Sequence, residues 1–129
     1  MKAINPEGWP RPSGYSNGIV AQGRLLFIAG QVGWNERGEF ASDEFVDQAE
    51  QAMRNVVAVL RAAGGGPEHL VRLTWYVTDK GEYIAASRAL GAAYRDIFGG
   101  HYPAMTLVQV AGLLEVRAKV EIEATAVLP

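Results

Sequence analysis

Glu115-Val116-Arg117-Ala118-Lys119-Val120-Glu121-Ile122-Glu123-Ala124-Thr125-Ala126 alternates apolar and polar residues over its whole length. Side chains on a strand alternate between faces, so Val116, Ala118, Val120, Ile122, Ala124 and Ala126 share one side. The charged set, Glu115, Arg117, Lys119, Glu121 and Glu123, shares the other. A strand over about Glu115–Leu128, with one buried face, is predicted. Upstream, about Ala104–Ala111 reads as another strand, and Val71, Leu73, Trp75 and Val77 alternate with Arg72, Thr74, Tyr76 and Thr78 in a third.

Two helices separate these strands. Ser42-Asp43-Glu44 can cap and charge a helix start, and Phe45, Ala49, Met53, Val56 and Leu60 recur at helical spacing until Gly64-Gly65-Gly66-Pro67 stops it. A second helix, about Glu82–Phe98, carries the stripe Tyr83, Ala86, Leu90, Tyr94 and Ile97 and ends at Gly99-Gly100. Ahead of both, Ile19–Gln22 and Leu25–Val32 flank Gly23-Arg24, a two-residue hairpin signal. The first residues, with Pro6, Pro10 and Pro12, read as an extended arm, and Trp34–Phe40 as a loop with room for a short strand.

Hairpin, helix, strand, helix and two strands describe an α+β sandwich with a sheet of five or six strands and both helices on one face. The early strand is apolar on both sides: Leu25, Phe27 and Ala29 alternate with Leu26, Ile28 and Gly30, as Met105 and Leu107 alternate with Thr106 and Val108. No third helix is left to cover the second face. A second copy of the chain is the expected cover.

At 129 residues, 49% hydrophobic and 20% charged, the chain is one domain with enough apolar mass for its own core. Twelve basic and fourteen acidic residues, a formal charge of −2, exclude the basic excess typical of nucleic-acid or anionic-membrane binders. There is no cysteine, hence no thiolate chemistry and no need of an oxidising compartment. Met1–Pro6 lacks a signal peptide's apolar stretch and no run is long enough to span a bilayer, so a cytoplasmic location is expected.

His69 and His101 have no partners at metal-ligand spacing, the glycine triplet lacks a phosphate loop's Lys-Ser/Thr, and no serine elbow occurs. No cofactor or metal is expected. Glu121 is the exception among bland residues. Mid-strand on a face expected to meet another subunit, its carboxylate must be paired, hydrated or protonated. An ion pair with a neighbouring chain's Arg117 or Lys119 is the structural alternative to catalysis, and spacing alone favours it.

Several stretches resemble the RidA (YjgF-type) family of small trimeric proteins, whose members carry names such as imine/enamine deaminase and endoribonuclease L-PSP. They are Gly14-Tyr15-Ser16-Asn17, Phe27-Ile28-Ala29-Gly30-Gln31-Val32, Gln48 through Asn55-Val56, Val71-Arg72-Leu73-Thr74 with Val77-Thr78-Asp79, Tyr102-Pro103-Ala104, and Val120-Glu121-Ile122-Glu123-Ala124. The likeness covers nearly the whole chain in order. It implies a chorismate-mutase-like fold of one mixed sheet with two helices on one face, a homotrimer, and a small-molecule pocket in each inter-subunit cleft. It also implies Glu121 and Tyr15 as catalytic residues, with Gly30 and Gln31 lining the ligand.

The departures are specific. Deaminating members carry an arginine after Pro-Ala, which grips a substrate carboxylate. Here that residue is Met105, the residue two further on, often cysteine, is Leu107, and the strand-end serine is Ala29. A thioether cannot replace a bidentate cation. Arg88 on the second helix is the candidate substitute. Three readings follow: a deaminase or hydrolase acting on an imine- or enamine-like metabolite other than the usual 2-imino acids, a trimer that binds a metabolite without chemistry, and, weakest, ordinary 2-imino acid deamination or ribonuclease activity.

Overall fold

The alternating C-terminal stretch becomes the strand on which the sheet is built. The computed structural model describes residues 1–129 and runs through β1 (Lys2–Ile4), β2 (Gly18–Val20), β3 (Arg24–Val32), α1 (Phe45–Ala62), a 3-10 turn (Pro67–His69), β4 (Leu70–Val77), α2 (Lys80–Ala85), α3 (Ser87–Phe98), β5 (Ala104–Gln109) and β6 (Val120–Leu128). One mixed sheet has the order β3-β6-β4-β5, with β5 parallel to β4 and the other pairs antiparallel. The parallel pair requires a crossover, which α2 and α3 supply. Val120, Ile122, Ala124 and Ala126 are all 5% exposed or less and join Ile28, Leu73, Trp75 and Val77 in the core. Phe45, Ala49, Met53, Val56 and Leu60 of α1 close that core from above. No helix is long and apolar enough to cross a membrane.

Several expectations need correction. No hairpin forms at Gly23-Arg24: β2 pairs with β1, and β3 pairs instead with β6, from Arg24 opposite Leu128. A Cβ at Gly23, whose φ is +150°, would stand 2.2 Å from the Leu128 carbonyl oxygen. The glycine serves close approach to β6 and not a tight turn. The main sheet therefore has four strands, the other two forming a separate ribbon.

The last strand begins at Val120 because its partners run out there: Val77 is opposite Val120 and Val32 opposite Glu121. Val116, expected inside, is 98% exposed, as is Leu114 at 96%. A bulge between Leu70 and Arg72 puts Leu70 in the core and leaves Val71 half-buried. The second helix is interrupted at Ala86 (φ −96°, ψ 10°), which yields α2 and α3.

Only one face of the sheet is covered. On the other, Leu25 is 62% and Phe27 73% exposed on β3, Val108 is 41% exposed on β5, and Arg72, Tyr76, Glu121 and Glu123 lie between. Met105 and Leu107 turn to the helix side, half-buried against the core. The open face is thus apolar at its margins and polar along its middle.

Gln48 and Asn55, on α1, set where the sheet ends. Gln48 is 1% exposed. Its amide donates to the carbonyls of Ser42 (3.1 Å) and Arg117 (3.0 Å) and accepts the Lys119 N–H (2.8 Å). Asn55 donates to the carbonyls of Val32 (3.0 Å) and Trp34 (2.8 Å). Gly33 lets β3 pass so close to α1 that a Cβ there would stand 2.7 Å from the Gln48 Cα. Replacing Gln48 by methionine of similar shape orphans those buried backbone groups. The Gln48→Met variant is expected to lose about 2–4 kcal/mol in urea unfolding, on the scale of one to two unsatisfied groups; a loss below about 0.5 kcal/mol counts against this anchoring role.

Candidate functional site

The β3–β6 ladder slips between Ile28 and Gln31, so Ala29 and Gly30 bulge out of register. Gly30 lies directly under Glu121: a Cβ added to it would stand 2.7 Å from the carboxyl carbon and 2.8 Å from Oε2. Only glycine brings a backbone this near a carboxylate. Gln31 folds back to donate to the Ala29 carbonyl at 3.0 Å. Glu121 is half-buried on the open face, with no hydrogen bond or ion pair inside its chain. Its neighbour Glu123 instead accepts from the Tyr76 hydroxyl at 2.6 Å, a bond that raises the Tyr76 pKa above that of an ordinary phenol. The two basic residues nearest it in sequence have partners elsewhere: Arg117 holds Asp43 at 2.8 Å and Lys119 approaches Glu82 at 3.6 Å.

The second group of residues lies at the other side of the sheet. Ser16 docks the arm onto the start of β5, donating its hydroxyl to the Tyr102 carbonyl (2.6 Å) and its N–H to that of Pro103 (3.1 Å). This sets Tyr15, 40% exposed, beside Met105, Arg72 and Thr106 in a recess of about 210 Å³. Met105 is opposite Leu73 in the register and faces the helices with Leu107, whereas Glu121 is opposite Tyr76 and faces away. One chain therefore separates the site residues: Glu121 with Gly30 and Gln31 lies on the open side, Met105 and Leu107 face the helices, and Tyr15 stands at the β5 edge.

Arg88 is exposed on α3 and lines no described cavity. Besides Arg72 in the Tyr15 recess, a second cation lies near Met105: Arg95, which sequence reasoning missed. Met105, Arg95, Ser87, Trp75, Tyr83 and Tyr94 line a cavity of about 360 Å³ between the helices and the β5 edge. The signal was present: Ser87, Gly91 and Arg95 recur at four-residue spacing along one helix face. The two histidines have backbone duties, His69 Nδ1 accepting the Gly66 N–H (3.0 Å) and His101 Nε2 donating to the Leu70 carbonyl (2.6 Å).

Burial holds the phenols of Tyr83 and Tyr94 above the ordinary range, Tyr94 far above it, with nearby Tyr102 adding to the effect. Acids that lose protons more easily when unfolded favour the fold below their unfolded pKa and cease to as pH rises through the folded value. Stability is thus expected to be level through neutral pH and to fall above about pH 10. Phenolate absorbance of Tyr83 and Tyr94 should develop together with loss of near-ultraviolet dichroism. Ionisation of all tyrosines near the ordinary phenol value with the fold intact would contradict this.

Comparison with known proteins places this geometry in context. The family model described as Endoribonuclease L-PSP matches residues 10–128. Protein DfrA of Myxococcus xanthus is 36% identical over 129 residues, covering 98% of this chain and 95% of that protein. The 2-iminobutanoate/2-iminopropanoate deaminase of Dermatophagoides farinae is 29% identical over 120 residues, covering 92% and 90%. Among solved structures, YyfB of Yersinia pestis, a protein of unknown function of the conserved Rid family, superposes with a TM-score of 0.84 at 36% identity over 98% of both chains. E. coli TdcF with bound serine gives 0.73 at 30% identity over 100% of both. With the α+β sheet order, the family match and these likenesses in agreement, the chain belongs to the endoribonuclease L-PSP family, whose members also carry the Rid, RutC and YjgF names.

Proposed function

We propose that three copies of this chain assemble through their open sheet faces and that each cleft between them hydrolyses a small imine- or enamine-like metabolite. The observation that carries the reading is the unpartnered carboxylate of Glu121, lodged against the Gly30 backbone while Arg117 and Lys119 are engaged elsewhere. A half-buried carboxylate with no partner is free to take and return a proton. In imine hydrolysis a water oxygen bonds to the C=N carbon while one of its protons passes by way of Glu121 to nitrogen, giving a carbinolamine. Glu121 then takes the remaining hydroxyl proton and hands it to nitrogen, so that the C–N bond breaks and the amine leaves as the carbonyl forms. Tyr15 offers a phenol from the other half of the site.

Assembly follows from exposed apolar residues. Leu25, Phe27 and Val108 on the open face and Leu114 and Val116 on the loop before β6 are exposed together, and burying each large side chain is worth about 1.5–3 kcal/mol. Assembly also supplies what one chain lacks, a way for Tyr15 at the β5 edge of one copy to meet Glu121 of another. The deaminase name of one relative and the serine bound to TdcF support small-molecule chemistry. Met105 and Leu107, standing where deaminating members carry arginine and often cysteine, favour a substrate other than the usual 2-imino acids.

Sedimentation equilibrium at micromolar concentration is expected to give three times the chain mass, and a clean monomer overturns the assembly. Within a folded trimer, Glu121→Gln keeps the size and polarity of the side chain but cannot accept the proton. Turnover of a freshly generated imine is expected to fall roughly 10²- to 10⁴-fold with the melting temperature nearly unchanged. Full turnover in that variant removes Glu121 from the chemistry. Binding without turnover in the native protein would favour a trimer that only binds its metabolite.

A further inference from the structure

We infer that the 360 Å³ cavity behind Met105 holds the acidic end of a flat, unsaturated or aromatic carboxylate, with Arg95 as its cationic anchor and Trp75 as a hydrogen-bond donor. The inference deepens the reading of the cleft as a metabolite site. The two spaces share Met105, which lines both this cavity and the recess beside Tyr15.

Charge comes first. Arg95 is the one charged residue on the cavity wall, no acidic residue lines it, and Arg95 makes no ion pair. Asp96, its neighbour in sequence, is taken by Arg54 at 3.3 Å. Gly91, one turn before Arg95, also lines the cavity, and a Cβ on it would stand 3.3 Å from the Arg95 Nη1. The guanidinium thus lies back over the glycine at the cavity mouth, where a side chain would crowd it. An unpaired planar guanidinium fits a carboxylate by two parallel N–H···O bonds.

A second, independent observation comes from the cavity wall. The indole Nε1–H of Trp75 is the only buried side-chain polar atom in the protein without a hydrogen-bond partner, and Trp75 is 3% exposed. Indole nitrogen can only donate, so it calls for an acceptor oxygen. The shape of the ligand follows from the remaining walls. Trp75 stacks on Tyr83 (centroids 6.0 Å apart, 25° between planes) and Tyr94 on Tyr102 (5.3 Å, 7°), and all four line the cavity. Aromatic faces favour a flat unsaturated body, and Ser87 adds a hydroxyl for one further polar group. A cation on α3 therefore takes over the task that Met105 cannot perform on β5.

Phenylacetate and its uncharged isostere phenylacetamide separate charge from shape. Calorimetric titration of the full chain at roughly millimolar ligand is expected to show phenylacetate binding at least about tenfold more tightly than the amide. Arg95→Gln should weaken the acid by about tenfold and leave the amide unchanged, Arg95→Lys should restore part of the loss, and the exposed Arg37→Gln should change neither. Because Trp75→Phe risks the core, its readout is the native protein's indole fluorescence, expected to shift on adding phenylacetate. Equal affinity for acid and amide, no binding of the acid, or undiminished acid binding in a folded Arg95→Gln variant each overturn the inference. Loss of imine turnover in Glu121→Gln beside unaltered acid binding in Arg95→Gln overturns this inference and spares the chemistry. Arg95-dependent acid binding in a protein without turnover does the reverse.

Discussion

Two carboxamides on one helix, Gln48 buried and Asn55 half-buried, set the geometry on which the rest depends. Gln48 ties the entry to β6 through the Arg117 carbonyl and the Lys119 N–H, and Asn55 ties the exit of β3 through the carbonyls of Val32 and Trp34. Between these anchors lie the Ala29-Gly30 bulge and Glu121. Apolar residues at positions 48 and 55 would still fill the core, but the strand ends would carry unsatisfied backbone groups there. Buried amides that satisfy several such groups at once give a core its register as well as its stability. The carboxylate of Glu121 is thereby held over a glycine by a helix with which it has no direct contact.

The sheet divides labour by face. Its helix side holds the core and, at the β5 edge, a cavity with aromatic walls and one cation. Its open side holds a free carboxylate amid exposed apolar margins. Strand geometry makes the division unavoidable. Met105 and Glu121 are opposite Leu73 and Tyr76, three positions apart on β4, and an odd separation along a strand reverses the face. A site that needs both residues must draw them from two copies of the chain.

Much of this was legible in the residues themselves. The period of two in Val120–Ala126 and Leu73–Val77, and the helical recurrence of Phe45, Ala49, Met53, Val56 and Leu60, specify which faces are buried because burial pays no regard to distant partners. The family resemblance marked Tyr15, Gly30 and Glu121. What stayed hidden were relations between distant segments. Nothing local in Gly23-Arg24 says that β3 will prefer β6 to β2, because a glycine that permits a turn equally permits close approach. Val116 continues the alternating pattern, yet a strand ends where its partners end, at Val77 and Val32.

The candidate site shows the same division. Arg88 and Arg95 are both exposed on α3, and only the four-residue spacing of Ser87, Gly91 and Arg95 hints at which faces a cavity; the folded structure puts Arg95 on the cavity wall and Arg88 away from it. Likewise Trp75 belongs to a buried alternation by its sequence, while the absence of an acceptor for its indole N–H is a property of the assembled walls. The sequence by itself determined the α+β class, the amphipathic faces and the identity of the chemical groups, since these depend on periodicity and side-chain type. Tertiary structure alone decided which strands pair, where they stop, and which carboxylate and which cation remain without a partner, since pairing depends on segments that meet only when the chain has folded.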